Sequence, residues 1–96
     1  MFARVRITSG APEKVGDGIR HFRETVVASY KDVAGFNGAY LLVNRKTGKV
    51  MGITLWDTEA SMQATGKTSE RLRAAGSEVV RGTTPPPDEY EVVVQP

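Results

Sequence analysis

From Phe2 to Thr8 the chain alternates, with Ala3, Val5 and Ile7 on one side and Phe2, Arg4, Arg6 and Thr8 on the other. A period of two predicts a β-strand, which Ser9-Gly10 ends. The period then changes. Val15, Ile19, Phe22, Val26 and Tyr30 are spaced 4, 3, 4 and 4, a stripe along one helical face. Pro12 suits the first turn and Glu13 the positive end of the dipole, so a helix is predicted from about Pro12 to about Val33. Gly35-Phe36-Asn37-Gly38 breaks it.

Ala39–Asn44 and Val50–Trp56 read as two further strands. The segment between them, Arg45 to Lys49, has hairpin length, and Gly48 is free to take a positive φ. Asp57 or Thr58 can cap a short helix reaching about Thr65, with Gly66 as its stop. A second helix is predicted from Thr68 or Ser69, carrying Leu72, Ala75 and Val79. Pro85-Pro86-Pro87 forms an extended connector to a last strand, Asp88–Gln95. The order β-α-β-β-α-β predicts an α+β, ferredoxin-like domain, a four-stranded antiparallel sheet with helices on one face. Such a sheet should be polar on its wet face. Yet Ala39–Val43, Ile53–Trp56 and Val92–Val94 are apolar or aromatic at nearly every position. Both faces therefore need a cover, and the chain supplies only one. A second copy of the chain is the expected partner.

Composition narrows the chemistry. Ninety-six residues allow one domain, 1–96. There is no cysteine, which excludes disulfides, thiolate metal sites and a cysteine nucleophile. The single histidine, His21, excludes a multi-histidine metal centre. No apolar run is long enough to span a membrane, and no hydrophobic segment follows the basic residues of the N-terminus, so a cytoplasmic location is expected. Net charge is +2, from nine Lys/Arg against four Asp/Glu in residues 1–50 and four against seven afterwards. The cations are dispersed over several elements with no aromatic-interleaved stripe, so nucleic acid is not an expected partner.

The segment Gly35-Phe36-Asn37-Gly38-Ala39-Tyr40, a hairpin, the strand end Leu55-Trp56-Asp57 and a helix opening on Glu59-Ala60 together resemble the antibiotic biosynthesis monooxygenase-like domain of the dimeric α+β barrel superfamily. The resemblance spans nearly the whole chain. It implies a homodimer with the two sheets face to face, and a pocket in each subunit between sheet and helices. For some members it also implies oxidation of an aromatic substrate by O₂ without metal, flavin or other cofactor. Quinone-forming members place an Asn four residues before a strand Trp; here Trp56 matches, but Gly52 stands at the Asn position. Haem-degrading members use an Asn, a Trp and a ligating His where this chain has Arg6, Thr65 and Ala75, so haem degradation is not expected.

Two functional readings follow: a cofactor-free monooxygenase-like protein acting on an aromatic or polycyclic phenol, or a dimeric ligand-binding or interaction module without chemistry. For the first, Arg6 and Trp56 are the candidate catalytic residues, Arg6 to stabilise a substrate anion and Trp56 to hold the ring. Arg4, Gly52, Thr54 and Tyr30 are the candidate substrate contacts. Gly52 would leave room beside Trp56, and Thr54 would hydrogen-bond the ligand. Trp56 reads equally as a core aromatic, Tyr30 as packing, and Arg4 and Arg6 as a solvated strand face. If that face is covered, the arginines need acidic partners or an anionic ligand. His21 falls opposite the apolar stripe at 100° per residue and is expected on the solvent side.

Overall fold

The computed structural model describes residues 1–96. Strand β1 (Phe2–Ser9) leads into helix α1, residues 12–30, which is not uniform. It opens with a 3₁₀ turn, Pro12–Lys14, continues as α-helix over Val15–His21, widens to a π-helix over Phe22–Val27 and closes as α-helix over Ala28–Tyr30. Then come β2 (Phe36–Val43), β3 (Lys49–Trp56), α2 (Glu59–Gln63), α3 (Gly66–Val80) and β4 (Asp88–Glu91). The sheet is antiparallel in the order β2-β3-β1-β4, the ferredoxin-like topology expected from the periods.

The hairpin closes as predicted, with Gly48 at φ 81°. A side chain there would also collide with the Gly10 carbonyl, so the turn is packed against the β1–α1 loop. Thr58 is the N-cap of α2, its hydroxyl accepting from the Ser61 amide at 3.0 Å. Gly66, expected as a helix stop, instead begins α3. The last strand is shorter than expected. Phe2 pairs with Glu91, and Val92 reaches only the Met1 carbonyl, so β1 offers no further partner. Val93 and Val94 consequently stand 79% and 82% exposed.

Register assigns each strand residue a face. Phe2, Arg4, Arg6 and Thr8 lie opposite Trp56, Thr54, Gly52 and Val50, beneath the helices. At one end of this layer Trp56, Tyr30, Val26, Met62 and Leu72 form the core. Tyr30 meets Trp56 edge-on with ring centroids 5.1 Å apart, and Phe36 packs tilted on Tyr30 and edge-on to Trp56. On the other face Ala3, Val5 and Ile7 pair with Leu55, Ile53 and Met51. No helix covers that side, and Tyr40, Leu42 and Tyr90 are half exposed or more.

The Thr58 cap offers a direct check on the α2 boundary. Thr58→Ala should lower stability by about 1 kcal/mol, a fall of several degrees in thermal melting. An unchanged melting curve would mean that the Ser61 amide is satisfied by water.

Candidate functional site

Beyond the aromatic core, toward the hairpin end of the sheet, the layer between sheet and helices is not filled. A cavity of about 60 Å³ remains, floored by Arg4, Arg6 and Thr8 of β1 and by Val50, Gly52 and Thr54 of β3. Gly18, His21 and Phe22 of α1 close one side, and Leu72, Arg73 and Gly76 of α3 close the other. Arg4, Arg6, Gly52 and Thr54 therefore come together as the strand pattern implied; Trp56 and Tyr30 do not border the space.

The two inward arginines differ in how their charge is met. Arg4, 3% exposed, donates to the Thr65 hydroxyl at 2.9 Å, to the Met62 carbonyl at 2.7 Å and to Glu89 at 3.3 Å. It has found the acidic partner a covered face demands and acts as a clamp between β1, the α2–α3 junction and β4. Arg6 has no acidic partner. Its Nη2 donates to the carbonyl and hydroxyl of Ser69, while Nε and Nη1 make no hydrogen bond within the chain. Burial pulls its guanidinium below the ordinary arginine range, the nearby Tyr30 oxygen works the other way, and Arg4 adds to the lowering. Arg73, the third cation at the cavity, is held by Glu70 and by the Thr84 carbonyl at 2.6 Å. No carboxylate lines the cavity.

The hydroxyls are also oriented. The Trp56 indole N–H donates to Thr54 Oγ1 at 3.0 Å. The oxygen of Thr54 thus accepts, and its own proton is left to donate. Trp56 itself is fully buried, a core aromatic whose N–H sets the polarity of a residue that does line the cavity. Tyr30 is 1% exposed; its hydroxyl is sealed from water without a hydrogen bond, next to Arg6. At the far end Ser77 donates to Thr84, whose hydroxyl lies 2.7 Å from that of Thr8.

Two expectations need correction. Gly52 does not leave room beside Trp56, because the Phe22 ring occupies it: a Cβ on Gly52 would lie 3.1 Å from Phe22. His21 is not on the solvent side. It borders the cavity, with Nε2 sealed from water against Gly76. The helical-wheel argument treated α1 as packing on the sheet alone, whereas its flank also meets α3. There Gly18 approaches Val80, and a Cβ on Gly76 would stand 3.5 Å from the His21 ring. Gly18 and His21 on one helix, facing Gly76 and Val80 on the other, were the available signal. Burial holds the His21 pKa below its ordinary value, opposed by the adjacent Leu72 carbonyl and reinforced by Arg6.

No protein-family profile matches the chain. An uncharacterized protein of Mycobacterium tuberculosis is 28% identical over 92 residues, 96% of this chain but 41% of the relative, so the chain spans about two fifths of the curated relative's length. Solved structures align over its full extent at low identity. A Deinococcus radiodurans protein assigned to the antibiotic biosynthesis monooxygenases covers 99% of this chain and 95% of its own, at 12% identity and TM-score 0.76. A Streptomyces coelicolor monooxygenase in complex with nanaomycin D covers 99% and 91%, at 19% identity and TM-score 0.72. A haem degrader from Mycobacterium tuberculosis, with two haems in its active site, covers 99% and 98%, at 19% identity and TM-score 0.73. The polypeptide thus has the ferredoxin-like fold of the antibiotic biosynthesis monooxygenases.

Proposed function

We propose that the cavity binds a small acidic aromatic compound, a phenol or enol, as its anion on Arg6, and that the protein is a homodimeric, cofactor-independent monooxygenase-like enzyme. The observation that carries this reading is the unpaired side of the Arg6 guanidinium, in a cavity that no carboxylate borders. Arg6 is half-buried, and a cation partly out of water without an ion-pair partner gains from the charge-assisted hydrogen bonds of an anion. Thr54, its proton turned free by Trp56, adds a second donor. Trp56 and Tyr30 serve from behind the cavity wall, by positioning Thr54 and Arg6 rather than by touching the ring.

In such a site catalysis is positional and electrostatic. The bound anion supplies the electrons: a ring CH₂ and O₂ become a ring carbonyl and water, with one oxygen atom in each product. The cavity is smaller than the roughly 150 Å³ of an engineered benzene-binding cavity. A ring therefore enters as Phe22 moves off Gly52, and a single ring is favoured over a polycycle. The same small volume, with Gly52 in place of an amide donor, favours the second reading, a binding module without chemistry.

Oxygen uptake over a panel of single-ring cyclic enols, with hydroquinones and the larger anthrones for comparison, separates the two readings. Uptake above blank, weakened at least tenfold by Arg6→Gln, is the expected result. Binding without uptake, seen as a change in Trp56 fluorescence, would leave only the binding module. Failure of every acid to bind would remove both.

The homodimer rests on the uncovered sheet face, where Tyr40 is 62% and Leu42 50% exposed beside Val5, Met51, Ile53 and Leu55. Left wet, that face is an apolar patch larger than monomers usually carry, and a two-fold axis covers both copies at once. Light scattering at micromolar concentration should give twice the 10.4 kDa chain mass, and Leu42→Asp should release a monomer. A well-folded wild-type species of single-chain mass would refute the pairing.

A further inference from the structure

His21 lines the cavity with a polar ring that has no side-chain hydrogen-bond partner. Its Nε2 is sealed from water against Gly76, and the Leu72 carbonyl lies close to the ring. With Nε2 sealed, Nδ1 is the ring nitrogen left to meet a ligand. We propose that His21 is the proton acceptor of the site: it takes the proton of a weakly acidic O–H ligand whose oxygen is received by Arg6.

The charges around the ring support this assignment. Arg6 faces His21 from β1 and Arg73 from α3, while β2 and β3 bring no titratable group to the cavity. On α1 itself Asp17, one turn back, is held between Lys14 at 3.6 Å and Arg20 at 3.7 Å, and Glu24, one turn on, is exposed to solvent. An imidazolium there would be repelled by Arg6, while Glu70 is already paired with Arg73. Once an anion sits on Arg6, that penalty becomes an attraction. Protonation of His21 and arrival of the anion are thus coupled, each making the other more favourable. The ligand enters as the neutral acid; its O–H bond breaks, the proton and no electrons pass to Nδ1, and the oxygen keeps the electron pair opposite Arg6. No co-reactant is needed. The site accordingly selects acids whose O–H releases its proton to an imidazole, phenols and enols, over neutral rings and over permanent anions such as sulfonates.

This inference deepens the anion-binding reading and rests on it. Because the chain has one histidine, its NMR resonances report one ring. The probe is 4-nitrophenol, colourless as the acid and yellow as the phenolate. In the free protein at pH 7, His21 should be neutral, titrating below its ordinary value of about 6.5. With the probe bound it should show imidazolium shifts at the same pH, and the yellow band should appear at about pH 6, where the free probe is mainly acid. His21→Gln should weaken binding at least tenfold at about pH 6 and leave it unchanged at about pH 9, a split that a merely structural residue would not produce. Probe binding at pH 9 with a His21 ring that stays neutral, and no yellow band at pH 6, would overturn the proton transfer while leaving anion binding intact. Absence of probe binding at either pH would overturn both.

Discussion

Arg4 and Arg6 project from β1 into the layer beneath the helices, and a guanidinium taken out of water must be compensated by hydrogen bonds or a counter-charge. Arg4 is compensated from three directions, by Thr65, the Met62 carbonyl and Glu89, and in being so ties the α2–α3 junction and β4 to the central strands. Arg6 receives only Ser69 on one side. Its other N–H groups make no hydrogen bond within the chain, with the Tyr30 hydroxyl close by and the cavity alongside. The strand period that turns the arginines inward turns Ala3, Val5 and Ile7 outward, onto the face without helices. The cavity and the apolar face come from one alternation.

Core and cavity share a single layer, divided along β3. Trp56 ends the strand in the aromatic cluster, and Thr54, Gly52 and Val50 follow it into the cavity. The hydrogen bond from Trp56 to Thr54 crosses that boundary, so a fully buried core residue fixes the orientation of a cavity hydroxyl. The glycines at 18 and 76 do something similar between the helices. They remove the side chains that would hold α1 and α3 apart and leave a slot for the His21 ring. Folding alone thus orients Thr54 and places the His21 ring.

Much of this was legible in the chain. The change of period from two to 3.6 located β1 and α1, Gly48 placed the hairpin, Thr58 placed the cap, and strands apolar on both faces foretold a sheet face that no helix of the chain covers. What failed did so where a decision depended on a distant element. Which face of β1 turns inward cannot be read from an alternation that is equally good both ways. His21 was misplaced because one helical wheel cannot show that α3 packs on the flank of α1. Gly52 reads as open space in the sequence because the Phe22 ring that fills it lies thirty residues earlier in the chain. The end of β4 depends on where β1 begins, since pairing stops when Phe2 has met Glu91.

The inward pair of arginines is open to a direct measurement: the rate at which each arginine reacts with phenylglyoxal, followed by peptide mass spectrometry. Arg20, 67% exposed at its side chain, and Arg45 on the hairpin should react freely. Arg4 should stay unmodified as long as the protein is folded, and Arg6 should react slowly and be protected by 4-nitrophenolate. Modification of Arg4 and Arg6 as fast as Arg45 in folded protein would place that strand face in solvent, and neither an anion cavity nor an outward apolar face would then remain.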